Sequence, residues 1–490
     1  LSAEFRQKVI QGVAWSATQN WGMQAIAFFI FLILARLLEP AAFGMIAIAT
    51  VFVAFIEVFI DQGFADALIQ RAELEPEHLD TAFWISILTG SLLTIAAVLL
   101  SGSIAQAFGE PQLASVLAWL SLGILLGALS STQQALLKRQ LAFKALAVRA
   151  ILAKFAGGAV GIAMAFLGFG VWSLVAQILI DGTVAAIVLW LASDWRPGLR
   201  FSRSCFTELF LFGVNSVGFR VLNFFNRRSD DLLIGYFLGP TALGYYTVAY
   251  KILLTLTKLL IYVVDSVAFP AFSRLQADLG QMRRAFYKAI QFTSLVAFPV
   301  FVGVSLLAHE IILGLYGQKW SAAIPVMQIL ALVGVLHSVL FFNYAVMLAC
   351  GRPAWRLGII LLNAVANVIA FMLVVRWGIV AVAAAYVIIG YLLWPVSLGA
   401  VKRLIQINLK DYFQLYLVPV AGCIIMSLVV FSFKYMLDDL LPLYGQLGVY
   451  SGVGAVSYLV FIQLKAPSLS QQTFILVRPL LVRLKITKVA

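Results

Sequence analysis

Apolar residues run along this chain in stretches separated by short polar connections rich in Pro, Gly and charge. A stretch of about 20 apolar residues crosses the hydrocarbon core of a bilayer as an α-helix, which satisfies its backbone groups internally. Read against its breaks, the pattern predicts about fourteen such spans. Six lie near residues 11–36, 43–62, 80–107, 112–135, 148–168 and 170–193. Six more lie near 207–236, 243–269, 290–314, 321–349, 356–375 and 378–399, and two follow near 412–433 and 443–464.

Composition confirms the class. The chain is 63% hydrophobic and 11% charged, with a mean hydropathy of +1.00, whereas soluble domains are about half apolar and about a quarter charged. The N-terminal LSAEFRQKVIQGVAWSATQNW has no small-residue cleavage site after a short apolar core, so it is expected to lead into a retained first span. Cys205, Cys350 and Cys423 are far apart and show neither metal-ligand spacing nor a disulfide framework. No metal site and no cofactor are expected.

The net charge of +13 is explained by where the basic residues sit. Alternate connections hold Lys138, Arg139, Lys144 and Arg149, then Arg196, Arg200 and Arg203, then Arg274, Arg283, Arg284 and Lys288. Later ones hold Arg352 and Arg356, then Lys402, Arg403 and Lys410, and the tail adds Lys465, Arg478, Arg483, Lys485 and Lys488. The opposite side offers only Arg36, Lys319, Arg376 and Lys434. Cytoplasmic loops carry the excess of Lys and Arg, so both termini are expected in the cytoplasm. Charge placed for topology gives no reason to expect a nucleic-acid partner.

The chain also repeats itself. LEPAAFGMIAIA (38–49) and LGPTALGYYTVA (238–249) share Leu, Pro, Ala, Gly and Ala at equivalent positions. Phe108-Gly109 matches Tyr316-Gly317, and Gly170-Val171 matches Gly378-Ile379, in the same order along the chain. These pairs predict a duplicated six-span unit. The expected architecture is all-α: two six-helix pseudo-repeat bundles around a central cavity, plus two extra C-terminal helices. The corresponding domains are an N-lobe at 1–200, a C-lobe at 201–405, the added helices at 406–466 and a basic cytoplasmic tail at 467–490. An even number of spans per unit relates the halves by an axis along the membrane normal. Pro40 with Gly44, and Pro240 with Gly244, predict a tight extracytoplasmic turn in each unit.

The repeated L-x-P-x-x-[FL]-G-x-x-x-x-A signature is joined by DQGFADALIQR (61–71), VAFPAFSRLQAD (267–278), YGQKWSAAIPVMQIL (316–330) and ACGRPAWRLGII (349–360). Together they resemble the polysaccharide transporter branch of the MOP (multidrug/oligosaccharidyl-lipid/polysaccharide) exporters, and within it the Wzx-type lipopolysaccharide and exopolysaccharide flippases. The resemblance implies movement of an undecaprenyl-pyrophosphate-linked oligosaccharide from the cytoplasmic to the periplasmic leaflet of the bacterial inner membrane. It also implies alternating access, a transporter rather than an enzyme, and membrane lipids and polysaccharide polymerase machinery as partners.

A charge at mid-span costs about 2.5–3.5 kcal/mol on insertion scales, so such residues face a cavity or a partner. In the seventh span Arg220, Asn223, Arg227 and Asp230 follow at three- and four-residue steps, making one polar stripe, with Arg228 and Asp231 beside it. The eighth span carries Lys251, Thr255 and Lys258 on one face. The first half does not repeat these charges: two hundred positions earlier stand Asn20, Phe28, Val51 and Val58. Arg220, Arg227, Arg228, Lys251 and Lys258, with Asn223, are therefore the candidate pyrophosphate ligands, since Arg gives planar multi-donor recognition of phosphate and Lys a mobile point charge. The competing reading neutralises Arg227 and Arg228 with Asp230 and Asp231. Asn20, Gln24, Trp15 and Trp21 are candidates for lining the cavity or stacking on sugars. Glu57, Asp61, Asp181 and Asp265 are candidates for binding a coupling H⁺ or Na⁺. Lys154 is expected early in the fifth span, near the cytoplasmic interface, and His309-Glu310 is expected to be structural.

A drug exporter on the same architecture would favour an acidic cavity, against the sign of these charges. A membrane glycan polymerase or glycosyltransferase needs a sizeable extracytoplasmic loop, and the connections here are short. The topology is directly testable in a background without the three native cysteines. A cysteine at Glu110 should react with a membrane-impermeant maleimide in intact cells, and one at Gln140 only after permeabilisation. The opposite pattern would invert the assignment.

Overall fold

The computed structural model describes residues 22–60, 68–69, 74–438 and 440–467. Of these, the side chains of 60, 206, 208–220, 222–223, 226–227 and 261–267 are not described. The predicted spans have helical counterparts. They are α1 (Gly22–Leu37), α2 (Pro40–Ile60), α3 (Pro76–Phe108), α4 (Pro111–Arg139), α5 (Phe143–Phe166) and α6 (Val171–Ala192). A long helical segment, Arg203–Arg274, breaks at Gly239 into α7 (203–238) and α8 (240–274). Then come α9 (Leu279–Leu306), a short helix Ala308–Leu315, α10 (Ile324–Ala349), α11 (Pro353–Val374), α12 (Ile379–Ile405), α13 (Leu409–Leu437) and α14 (Leu443–Lys465). Twelve described segments are long and apolar enough to cross a membrane.

Helix ends follow local chemistry. Proline begins α3 and α4, where its missing N–H costs no helical bond. Asp278 and Asn408 cap α9 and α13 by accepting from the N–H groups of Gln281 and Lys410. The repeat-marking pairs Gly109/Gly317 and Gly170/Gly378 all have positive φ, from +56° to +96°. The duplicated glycines therefore stand where the chain turns through left-handed backbone.

The chain forms two compact units, one of residues 1–247 with 371–379 and the other of 248–370 with 380–490. Within the first, the two copies of the repeated phrase touch each other. A Cβ on Gly44 would overlap the Pro240 carbonyl, and a Cβ on Gly244 would overlap the Pro40 carbonyl. Each copy thus presents its proline carbonyl to the other's glycine, the reciprocity that a local two-fold axis produces. From this contact α2 runs beside α7: Ile48 fills the space over Gly235, and Phe55 packs on Phe224 with ring centroids 5.2 Å apart. Elsewhere in this unit α5 and α6 approach closely, because Gly157 and Gly161 leave room for the backbone of Gln177 and Ser173. The connection after α6 is tied to the start of α3: Asp80 and Thr81 accept from the N–H groups of Gly198 and Ser202, and Trp84 donates to the Gly198 carbonyl.

In the second unit the added hairpin α13–α14 docks on α9 through aromatics. Tyr412 stacks on Phe286 and Tyr416 on Phe298, at interplanar angles of 15° and 13°, and the Tyr458 hydroxyl donates to the Leu295 carbonyl. Lys434 of α13 pairs with Glu310 at 2.6 Å and donates to the Leu306 carbonyl. That carboxylate is 2% exposed, so Glu310 holds the hairpin in place.

Gly44→Ala and Gly244→Ala should each lose about 1–3 kcal/mol or more, the cost of overpacking against a backbone group that cannot swing away. Gly303 has open space beside it, so Gly303→Ala should be tolerated. Thermal unfolding in detergent compares them, and a melting temperature for Gly44→Ala as high as that of Gly303→Ala would refute the contact.

Candidate functional site

The residues of the predicted polar stripe fall on α7, and Lys251 and Lys258 fall on α8. Asp230 is buried (6% exposed), and its two oxygens are both engaged. The Tyr246 hydroxyl donates to Oδ2 at 2.9 Å, and the backbone N–H of Asp231 donates to Oδ1 at 3.0 Å. Asp231 takes Arg228 at 2.9 Å, one turn earlier on the same helix. Arg228 remains 43% exposed, and a guanidinium has five donors in a fixed fork, so the pair leaves it able to meet a second anion.

The neutralising reading of the sequence is thus realised for Arg228. Lys251 is partly buried and makes interactions of its own, and Lys258 is exposed. The side chains of Arg220, Asn223, Arg227 and Asp265 lie outside the described ones, as do Trp15, Asn20, Trp21 and Asp61 altogether. Gln24 is partly buried on α1, and Glu57 is exposed on α2.

One candidate carboxylate is brought to a partner from another helix. Asp181 on α6 receives Lys154 of α5 at 2.5 Å. Lys154 stands near the middle of this helix, which begins at Phe143, five residues before the predicted span.

Two groupings were not legible from chain order. Tyr246 and Asp230 replace Ile46 and Ile30 of the first copy, so comparing the copies position by position exposes them. Glu75, His78 and Cys205 place ligand atoms within 4.8 Å of one another. Within that grouping His78 Nδ1 lies 3.7 Å from Glu75, and Glu75 is exposed. A cleft of about 490 Å³ between α11 and α12, lined by Trp355, Ile359, Leu362, Pro395 and Arg403, contains none of the predicted site residues.

Residues 33–325 match the model of a family described as polysaccharide biosynthesis protein. The chain is 27% identical over 468 residues to the teichuronic acid biosynthesis protein TuaB of Bacillus subtilis, covering 94% of this chain and 96% of that one. It is 28% identical over 324 residues to the succinoglycan biosynthesis transport protein ExoT of Rhizobium meliloti, 66% of each chain. Among solved structures, the lipid II flippase MurJ in an inward closed conformation has a TM-score of 0.76 at 16% identity, covering 93% of this chain and 99% of its own. At that identity the likeness establishes the fold.

Replacing Tyr246 with Phe leaves the buried Asp230 short of one donor, which should cost about 1–3 kcal/mol of stability. A double-mutant cycle with Asp230→Leu checks this: the loss in the double variant should be smaller than the sum of the single losses. Strict additivity in thermal unfolding would refute the contact.

Proposed function

Since the chain belongs to the polysaccharide biosynthesis protein family and is similar to a succinoglycan biosynthesis transport protein, we propose that it is a flippase for lipid-linked oligosaccharides. Its substrate is an undecaprenyl-pyrophosphate-linked repeat unit, moved from the cytoplasmic to the periplasmic leaflet of a bacterial inner membrane. Both termini are cytoplasmic, two six-helix lobes alternate in access, and the lipid tail stays in the bilayer.

The observation that carries this reading is the placement of charge. Arg220, Arg227, Arg228, Lys251 and Lys258 all fall on α7 and α8, against Asp230 and Asp231. Five cations left facing lipid would cost on the order of 12–17 kcal/mol, so their excess is best explained by an anion that enters the membrane. A pyrophosphate between a sugar chain and a lipid is such an anion, whereas a cationic drug would meet the wrong sign. Glu57, Asp61, Asp181 and Asp265 are the carboxylates available for a coupling H⁺ or Na⁺. No extended loop interrupts the described helices, which favours transport over glycan synthesis.

The test is made in cells from which the gene is deleted. Lipid-linked repeat units should accumulate in the cytoplasmic leaflet, and the wild-type chain should clear them. Arg220→Gln or Lys251→Gln at normal protein level should slow clearance at least about tenfold, as expected for the loss of a charge-assisted phosphate contact worth about 1.5–3 kcal/mol. Clearance at the wild-type rate by both variants would remove the assignment.

A further inference from the structure

Away from the charges of α7 and α8, three side chains with metal-ligating atoms meet where α3 and α7 begin. Glu75 is the residue before α3, His78 lies in its first turn, and Cys205 lies in the first turn of α7. A carboxylate oxygen, an imidazole nitrogen and the thiol sulfur, one from each, lie within 4.8 Å of one another. In a tetrahedral zinc site with bonds of about 2.0–2.3 Å, neighbouring ligand atoms stand roughly 3.3–3.8 Å apart. Closing on one ion therefore takes side-chain shifts of about 1 Å, and the exposed Glu75 has room to move. The ligands come from segments far apart in the chain, so no spacing within either one shows them.

The frame around them is held by the protein's own bonds. Asp80 and Thr81 of α3 accept from the N–H groups of Gly198 and Ser202, and the Ser202 hydroxyl accepts from the N–H of Cys205 at 3.4 Å. Within this frame His78 is the orphan. Its ring is 4% exposed, and Nδ1 has no hydrogen-bond partner among the described residues. Glu75 Oε2 lies 3.7 Å from that nitrogen, beyond hydrogen-bond distance. Burying an imidazole nitrogen unpaired forfeits its hydration, so a plain Glu75–His78 ion pair leaves it unexplained. Glu75 stands at the N-cap position of α3 without its side chain capping the helix, and Cys205 is a buried free thiol.

We propose that Glu75, His78 and Cys205 form a Zn²⁺ site, completed by water in the fourth position, that clasps the start of α7 to the start of α3. The donor set selects the ion: sulfur with imidazole suits zinc, whereas Mg²⁺ and Ca²⁺ take oxygen ligands. Charge suits the place as well. Both helices direct their positive N-terminal ends to this corner. Zn²⁺ with one thiolate, one carboxylate and one neutral imidazole carries no net charge, so those ends do not oppose it. On the orientation proposed above, this corner lies on the cytoplasmic side, where a ligand thiol stays reduced. The site is independent of what the protein transports.

The test uses the full-length protein purified in detergent without a histidine tag, with Co²⁺ and Zn²⁺ as probes. Co²⁺ should bind and give cobalt–thiolate charge-transfer absorption, which Zn²⁺ removes by displacement and excess Mg²⁺ or Ca²⁺ does not. Cys205→Ser should abolish that absorption, whereas Cys350→Ala/Cys423→Ala should leave it unchanged. Glu75→Gln and His78→Gln should each weaken Co²⁺ binding at least about tenfold, the lower figure for losing even an outer-shell partner of a metal ligand. Zn²⁺ should raise the melting temperature of the wild type and not that of Cys205→Ser. Glu75 is exposed, so its variant keeps the fold and tests the site even if the buried variants unfold. No thiolate absorption in the wild type, its loss on replacing Cys350 and Cys423, or Co²⁺ binding untouched by Glu75→Gln would overturn the proposal. Displacement by Mg²⁺ as readily as by Zn²⁺ would leave only an acidic patch and overturn it too.

Discussion

The two copies of the repeated phrase meet in one close approach within the first unit, that of Pro40 and Gly44 to Pro240 and Gly244. Two helix starts meet so closely that neither glycine has space for a methyl group. A contact of this kind constrains both partners in the same way, which explains why the chain carries nearly the same phrase twice. The turn predicted from Pro and Gly is therefore also an interface. It sets α2 alongside α7, so that Ile48 meets Gly235 and Phe55 meets Phe224, and it brings the first turns of α8 back beside the end of α7. There Tyr246 donates to Asp230.

Charge inside this membrane body falls into two kinds, separated by exposure. Glu310 and Lys434 are buried together and fix a hairpin to α9, with a further bond from Lys434 to a backbone carbonyl. Breaking a buried pair by removing one partner costs about 3–5 kcal/mol, which suits a permanent joint. Arg228–Asp231 and Lys154–Asp181 are more open, with their cations 43% and 28% exposed.

The helices were legible because the bilayer demands long apolar runs, and each predicted span has a helical counterpart. The repeat was legible because left-handed backbone favours glycine, and those glycines fall at corresponding turns. The start of α5 was less legible, because Lys144 lies outside the apolar run while the helix begins at Phe143. The pairing of Lys154 with Asp181, twenty-seven residues away, depends on the glycine-lined approach of α5 to α6, which no spacing rule supplies. Tyr246 was hidden for another reason. It lies inside the phrase that marks the repeat, and a position that defines similarity is easily passed over as a difference.

That difference bears on how a duplicated scaffold acquires direction. Where the first copy has Ile30 and Ile46, the second has Asp230 and Tyr246, so a contact that apolar side chains would fill equally well holds a carboxylate. A buried carboxylate costs several kcal/mol unless its oxygens are satisfied, and the chain meets that cost with a tyrosine hydroxyl, a backbone N–H and, one residue on, the Arg228–Asp231 pair. The symmetric glycine contact cannot distinguish one copy from the other. The polar network beside it can, because it ties the end of α7 to the start of α8 and has no equivalent between α1 and α2, where isoleucines stand.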